Sequence, residues 1–239
     1  MTKPIFTGVC TALVTPFLEN RLNTPMLRQL IRRQELAGVD ALLICGTTGE
    51  SAALTDTEKL ELFKVSREAI PESVPFIAGT GSNNTAHAVA LSQAAQELGA
   101  DALLVVSPYY NKATEEGLYR HYRRIAEVVS IPVILYNVPS RTGLDIPVSV
   151  YQKLAEIPNI VGVKEASADI RKIAWTRHQC PRDFSVWCGN DDLAVPALSL
   201  GASGLISVVS NVEPELTRAM TKAALDGDFD TASDLQCKL

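Results

Sequence analysis

The sequence predicts an α/β protein in which eight parallel strands and their helices close into a (β/α)8 TIM barrel. Short apolar, β-branched runs alternate with longer segments of helical period along the chain. There are eight such runs, the number that a closed barrel of this type needs. A weak repeat agrees with this fold: GVDALL at 38–43 recurs as GADALL at 99–104 and, more faintly, as GASGLI at 201–206. In each copy a glycine stands where a helix is expected to end, and an apolar run suited to a buried strand follows.

The individual elements follow from the same periodicity. Helices are predicted over 24–37, with Leu27, Leu30 and Ile31 on the apolar face, and over 83–98. A doubly wound open sheet is the alternative fold, but no GxGxxG motif follows a predicted strand, so a dinucleotide site has little support. The apolar face predicted for the second helix comprises Ala86, Ala90, Ala94 and Leu98. The predicted strands lie near 8–14, 41–45, 75–79, 102–107, 132–137, 160–164, 184–188 and 204–209.

Composition excludes several classes of function. The net charge of −5 argues against a surface for nucleic acid or an anionic membrane, which needs clustered lysine and arginine. No secretory signal and no run of 18 apolar residues occurs, so we expect a cytoplasmic protein that binds no membrane. The five cysteines contain no CxxC pair and are expected to be thiols. No pair among His87, His121 and His178 has a ligand spacing, so we expect no metal site.

Polar, glycine-rich and aromatic residues collect at one end of the predicted strands. The carboxyl ends of barrel strands carry the active site in enzymes of this fold, so these segments together predict a site. The segments are GTTGE at 46–50, GTG at 79–81, SPYYN at 107–111, YNVPSR at 136–141, KE at 164–165 and GND at 189–191.

Lys164 is the most informative of these residues. It closes a strand predicted to be buried on both faces, where an ammonium group is costly to desolvate, and a neutral amine attacks carbonyl groups. Taken alone, Lys164 also fits a strand-end lysine that reaches solvent. Tyr136 at the same height on the neighbouring strand favours the catalytic interpretation, because a phenol can shuttle protons during imine formation. Tyr136 alone also fits a core aromatic.

Two further segments suit the binding of carboxylates. The Gly-Thr-Thr-Gly stretch at 46–49 offers backbone N–H groups and two hydroxyls in a tight turn, although a purely structural turn explains it equally well. Arg141 follows a Pro-Ser turn beside the predicted pocket and can clamp a carboxylate with two hydrogen bonds. A surface-loop arginine is the alternative for Arg141.

With these motifs in place, the sequence resembles the dihydrodipicolinate synthase / N-acetylneuraminate lyase family. The resemblance implies a lyase that condenses pyruvate with L-aspartate 4-semialdehyde to give 4-hydroxy-tetrahydrodipicolinate, in diaminopimelate and lysine biosynthesis. It implies no metal or organic cofactor, because the lysine imine itself is the electron sink. The motifs that carry the resemblance are GTTGE at 46–50, PYYN at 108–111, YNVPSRTG at 136–143 and VGVKEA at 161–166.

The resemblance also assigns roles to individual residues. It implies that Lys164 forms the imine with pyruvate and that Thr48, Tyr136 and Tyr110 form a proton relay. Tyr110 is expected to be donated by a neighbouring subunit, so the relay requires at least a dimer.

Substrate binding is assigned in the same way. The resemblance implies that Thr47 and Thr48 hold the pyruvate carboxylate and that Arg141 holds the carboxylate of the semialdehyde. The backbone around Gly189 and Ile206 is expected to line the pocket near the lysine.

The family's architecture sets further expectations. The resemblance implies a homotetramer built from two tight dimers, and a small helical C-terminal domain after the barrel. We expect residues 1–225 to form the barrel and 226–239 to be the start of that C-terminal region, most of which is missing from this chain.

Regulation is a separate expectation. Lysine-sensitive relatives bind lysine at the tight-dimer interface, and here Lys59 and His87 stand in place of the His and Glu that they use. A cation repels the ammonium group of the ligand, so we expect weak or absent inhibition by lysine. The other residues of this allosteric lysine site would be Ser51, Ala52, Asn83 and Tyr109.

Two other functions stay open from the sequence. One is another pyruvate aldolase, such as an N-acetylneuraminate or 2-keto-3-deoxy sugar-acid lyase, although Arg141 argues against it. The other is a weakly active barrel that binds keto acids.

Overall fold

The computed structural model of the chain describes residues 4–239. The strands are β1 (Gly8–Ala12), β2 (Phe17–Leu18), β3 (Arg21–Leu22), β4 (Ala41–Ile44), β5 (Phe76–Gly79), β6 (Ala102–Val106), β7 (Val133–Asn137), β8 (Ile160–Glu165), β9 (Ser185–Cys188) and β10 (Gly204–Ser207). Eight parallel strands form a closed barrel in the order β1-β10-β9-β8-β7-β6-β5-β4, and β1 pairs with β4 to complete it. A small antiparallel hairpin, β2 with β3, stands apart from the barrel. The predicted TIM barrel and its eight strands are therefore confirmed.

Helices connect successive barrel strands and cover the outside of the barrel. Short 3-10 turns follow three of the strands, at Ser51–Ala53, Asp191–Leu193 and Val209–Asn211. The helices are α1 (Thr24–Ala37), α2 (Asp56–Ala69), α3 (Thr85–Glu97), α4 (Glu115–Ala126), α5 (Pro139–Thr142), α6 (Val148–Leu154), α7 (Ile170–Gln179), α8 (Ala194–Ser199), α9 (Pro214–Leu225) and α10 (Phe229–Gln236).

Burial on both faces explains why the strands read as continuous apolar runs. One apolar cluster fills the space between the strands and the surrounding helices. A second cluster fills the barrel interior, where Trp187 stacks on Phe6 at 5.2 Å between ring centroids. The indole of Trp187 also donates to the backbone oxygen of Phe6, which ties the entering chain to the barrel.

The repeated hexapeptide has a structural basis in its glycines. Gly38 has φ 73° and ends α1 in the left-handed conformation, and Gly99 and Gly201 follow α3 and α8 with φ 85° and 90°. Glycine adopts this conformation without steric penalty, so each copy ends a helix and begins the next strand.

The aspartate in the two stronger copies has a role that the sequence did not indicate. The carboxylate of Asp40 accepts the backbone N–H of Val9 at 2.8 Å. Asp101 likewise accepts the N–H of Phe76 at 2.8 Å. In both copies the aspartate holds the start of the preceding barrel strand, which helps to fix strand register.

The predicted apolar face of the helix now labelled α3 is wrong. Ala86 and Ala90 are exposed and Ala94 is only half-buried. Alanine occurs all around this helix, so alanine spacing alone does not identify the buried face. Leu91 determines the orientation because it is the large apolar residue near the helix centre. The face that packs on the barrel comprises Ala88, Leu91, Ser92 and Ala95.

The last two helices lie at the predicted division of the chain. Helix α9 ends at Leu225, and α10 packs back against α8 and α9. The assignment of 226–239 to a separate C-terminal region stays a prediction. No helix within residues 4–239 is both long and apolar enough to cross a membrane.

Candidate active site

Lys164 and Tyr136 lie side by side on neighbouring barrel strands. Strand β7 pairs with β8 so that Tyr136 is in register with Lys164. Both side chains are buried, with exposed fractions of 6% and 4%. Nζ of Lys164 lies 4.6 Å from the centroid of the Tyr136 ring. The two residues therefore form a contact pair, which places an amine next to a phenol.

Gly189 provides the space in which the Lys164 side chain lies. A β-carbon added at Gly189 would lie 2.9 Å from Cε of Lys164 and 2.8 Å from the β-carbon of Ala166. Both distances are shorter than ordinary carbon contacts of about 3.5–4.0 Å. A residue with a side chain at 189 would therefore displace the lysine.

A cavity of about 690 Å³ opens above this pair at the carboxyl ends of the strands. Its wall brings together the two predicted carboxylate-binding segments, which follow β4 and β7, and the predicted pocket-lining segment that follows β9. The lining residues include Thr47, Thr48, Tyr136, Val138, Ser140, Arg141, Lys164, Ala166, Gly189, Asn190, Asp191 and Asp192.

The turn at 46–49 presents two hydroxyl groups to this cavity. The N–H of Gly49 donates to the oxygen of Gly46 at 3.1 Å, and the oxygen of Gly49 accepts the hydroxyl of Thr15 at 2.7 Å. The turn is thus anchored through its backbone. The hydroxyls of Thr47 and Thr48 make no hydrogen bond with any described residue, which leaves them available to a ligand.

Arg141 stands on the rim of the cavity. It belongs to the one-turn helix α5, which begins at Pro139 and ends at Gly143 in the left-handed conformation, so the predicted Pro-Ser turn is in fact helical. The Arg141 side chain is exposed and forms no ion pair with the carboxylates of residues 4–239. A guanidinium at this position is positioned to receive a carboxylate from a ligand.

Two predicted site residues lie away from the cavity wall. Tyr110 is 91% exposed and has φ 76°, a left-handed conformation that is unusual for tyrosine. It is not among the residues that line the cavity of its own chain. Ile206 is fully buried in the apolar cluster of the barrel interior, which also contains Tyr136.

The predicted regulatory residues lie around a second cavity of about 790 Å³, which shares Thr47, Tyr136, Val138 and Arg141 with the first. Lys59 is nine-tenths buried, and its ammonium lies 3.6 Å from Asp56. Asp56 also contacts Nε2 of His87 at 2.9 Å, and this hydrogen bond lowers the pKa of the carboxyl. Ser51, Ala52, Lys59, His87 and Tyr109 line this cavity, while Asn83 donates to the backbone oxygen of Tyr109.

The thiols near the site are poor nucleophiles. Burial raises the pKa of both Cys45 and Cys188 to about 12, so both stay protonated at neutral pH. Within residues 4–239, no three His, Cys, Asp or Glu side chains gather as a metal site would require. Lys164 therefore stays the predicted nucleophile of the site.

Comparison with known proteins identifies the family. The model of the dihydrodipicolinate synthetase family matches residues 5–239. The chain belongs to this family. The 4-hydroxy-tetrahydrodipicolinate synthase of Acetivibrio thermocellus is 48% identical over 239 residues, which are all of this chain and 81% of that protein.

Solved structures of the dihydrodipicolinate synthetase family agree with the fold. The dihydrodipicolinate synthase of Aquifex aeolicus superposes with a TM-score of 0.96 at 43% identity, over 98% of this chain and 80% of that one. The chloride-inhibited enzyme of Acinetobacter baumannii, crystallised with pyruvate, gives 0.95 at 40% identity, over 97% of this chain and 80% of that one.

The structure also shows contacts at this site to which the sequence assigned no role. Asp191 accepts the hydroxyl of Ser207 and the backbone N–H groups of Val208 and Val209, so it holds the loop after β10 at the cavity. Gln236 of α10 donates to the backbone oxygen of Asp191 at 2.9 Å. Aspartate directly after a predicted strand was the only available signal, and it did not reveal these partners.

Proposed function

We propose that this chain is a lyase that condenses pyruvate with L-aspartate 4-semialdehyde to give 4-hydroxy-tetrahydrodipicolinate, an early step of diaminopimelate and lysine biosynthesis. The observation that carries this proposal is the buried Lys164 amine against the Tyr136 phenol at the base of an open cavity. Membership of the family and 48% identity to a 4-hydroxy-tetrahydrodipicolinate synthase support the same reaction. No cofactor is required in this proposal.

In the first half-reaction, the neutral amine of Lys164 attacks the ketone carbon of pyruvate. The carbonyl oxygen leaves as water after proton transfer, and an imine remains on the lysine. Tyr136, in register with Lys164 on the neighbouring strand, moves these protons, with Thr48 and Tyr110 of the neighbouring subunit as the other members of the relay. The hydroxyls of Thr47 and Thr48, together with N–H groups of their turn, hold the carboxylate.

In the second half-reaction, loss of a methyl proton converts the imine to an enamine, whose carbon attacks the aldehyde of the semialdehyde. Arg141 holds the carboxylate of this second substrate through its two parallel N–H donors. The substrate amine then displaces the lysine amine by transimination, which closes the ring and regenerates Lys164. Gly189 contributes by leaving the space that the lysine needs.

A sugar-acid aldolase shares the imine but takes a polyhydroxylated partner. An unpaired guanidinium at the rim suits a carboxylate better than a chain of hydroxyl groups, which favours the semialdehyde. A keto-acid-binding barrel without catalysis has no physical need for a buried amine next to a phenol.

The proposed assembly is a homo-oligomer whose smallest active unit is a dimer. The support is Tyr110, which is almost fully exposed and held in a left-handed conformation on its own chain. A tetramer of two such dimers and a cytoplasmic location are part of the same proposal.

The decisive experiment is the intact mass of the chain after borohydride reduction in the presence of pyruvate. We expect one reduced pyruvate adduct on the native chain and none on Lys164→Ala. Lys153→Ala is the control, because Lys153 is an exposed lysine on the outer helix α6. An adduct that persists in Lys164→Ala, or no adduct on the native chain, would refute the proposal.

The choice of aldehyde is settled by steady-state assays. We expect turnover with aspartate semialdehyde and a large rise in its KM for Arg141→Ala. Faster turnover of a sugar-acid substrate than of the semialdehyde would favour the alternative aldolase.

A further inference from the structure

A buried cluster of polar side chains lies directly behind the lysine strand. Glu165 follows Lys164 and is 3% exposed. One carboxylate oxygen accepts the amide N–H of Asn137 at 2.9 Å and the backbone N–H of Ser167 at 2.9 Å. The other accepts the hydroxyl of Tyr151 from α6 at 2.9 Å. The carboxylate therefore joins the ends of β7 and β8 to a surrounding helix.

The cluster continues to the segment that carries Arg141. Lys172 of α7 is 5% exposed, lies 4.0 Å from the Glu165 carboxylate and donates to Asp145. The amide of Asn137 also donates to Asp145 at 2.7 Å, and its oxygen accepts the N–H of Ile146 at 3.0 Å.

The main contribution of this cluster is not expected to be to folding stability. Burying charged groups removes their hydration, and buried ion pairs are often no more stabilising than apolar residues of similar size. The cluster does fix the relative positions of secondary-structure elements, because each hydrogen bond joins one element to another. The elements it joins are the two strands that carry Tyr136 and Lys164, and the segment after α5.

We propose that this cluster positions the two halves of the active site relative to each other, an inference that rests on the proposed function. Tyr151 acts as a positioning residue for Lys164, because its hydroxyl holds the carboxylate of the adjacent Glu165. Lys172 acts as a positioning residue for Arg141, because it holds Asp145 at the end of the segment that begins at α5. Neither side chain lines the substrate cavity.

Because Tyr151 and Lys172 position different active-site residues, we expect different kinetic effects when each is replaced. Tyr151→Phe removes one hydroxyl and keeps the buried ring. We expect the rate of borohydride trapping of pyruvate to fall about tenfold, because the end of β8 loses an anchor. Lys172→Met keeps the length of the side chain and removes the charge. We expect an about tenfold higher KM for aspartate semialdehyde. Because Lys172 also lies 4.0 Å from the Glu165 carboxylate, we expect pyruvate trapping to slow less in this variant than in Tyr151→Phe.

A matched control separates positioning from a general loss of a buried hydroxyl. Tyr122 is also fully buried and its hydroxyl donates to the backbone oxygen of Val105, outside the cluster. Tyr122→Phe is expected to trap pyruvate at the native rate, with the melting temperatures of all variants measured alongside.

The outcomes distinguish this inference from the proposed function. Trapping that is slower in Tyr151→Phe than in Lys172→Met, together with a raised KM in Lys172→Met, supports the cluster as a positioning device. Equal trapping rates in Tyr151→Phe and Tyr122→Phe overturn it, and so does trapping in Lys172→Met that is as slow as in Tyr151→Phe. In each of these cases, pyruvate trapping by the native chain upholds the proposed function. No trapping by the native chain overturns both.

Discussion

Gly189→Ala is the smallest change that tests whether the position of the Lys164 amine limits catalysis. The added β-carbon would lie 2.9 Å from Cε of Lys164 and 2.8 Å from the β-carbon of Ala166. Carbon atoms require about 3.5–4.0 Å, so the neighbours must move by about 1 Å. The lysine side chain is the more flexible of the two, and we expect it to move.

The size of the effect follows from this displacement. A misplacement of about 1 Å at a reacting atom lowers the rate by about 100-fold, equivalent to about 2.7 kcal/mol in the barrier. Overpacking costs about 1–3 kcal/mol of folding stability, which lowers the melting temperature by roughly 2–12 °C in a domain of this size. We therefore expect a folded protein that forms the pyruvate imine about 100 times more slowly.

The assay is the rate of borohydride trapping as a function of pyruvate concentration, with a thermal melt of each variant. Gly117→Ala in α4 is the matched control, because its β-carbon would approach only the Thr114 hydroxyl, at 3.3 Å, and the β-carbon of Ala113, at 3.5 Å. That variant should trap pyruvate normally and melt no lower than the native chain, since alanine favours a helix over glycine. Native trapping rates in Gly189→Ala would refute the argument.

Three further outcomes are expected. Tyr110→Phe and Lys164→Ala are each expected to be inactive alone, but mixing them should restore activity at about a quarter of the sites. About half of the two-fold dimers will contain one subunit of each variant, and one of the two sites in such a dimer has both an intact lysine and an intact tyrosine. No recovery would refute donation of Tyr110 across the interface. Micromolar L-lysine should leave the steady-state rate unchanged because the cationic Lys59 repels the ammonium group of the ligand, and inhibition at that concentration would contradict this. Burial lowers the pKa of His121 to about 4, so the unfolded chain binds a proton first on acidification. Stability should therefore fall by up to about 3 kcal/mol between about pH 6.5 and pH 4, and less in His121→Gln, when thermal melts are compared.

Much of the fold could be predicted because barrel strands are buried on both faces and leave a clear apolar signal. The glycines that end helices in the repeat could also be predicted, since glycine is the residue that most easily adopts the positive φ required at a helix end. The face of α3 was predicted wrongly because alanine is tolerated on both sides of a helix. Local periodicity does not indicate which alanine a barrel strand will cover.

The sequence could predict those residues of the candidate site that lie at the end of a strand and whose chemistry does not depend on distant partners. Lys164 and Tyr136 stand out because a charged group and a phenol are unusual at the end of an apolar run. The sequence indicated no role for Glu165 or Lys172, although both are buried, because most of their partners lie on other strands, helices and loops of the barrel. Such contacts are created by tertiary packing and have no local pattern.

The position of Trp187 gives this molecule an internal optical probe. The chain has two tryptophans: Trp187 is fully buried in register with Lys164, and Trp175 is half-exposed on the outer helix α7. The interior indole should emit at shorter wavelength than the one in contact with water. Arrival of a ketone at the neighbouring lysine would change only the short-wavelength component, so covalent bond formation can be timed in unlabelled protein, while the long-wavelength component serves as an internal reference.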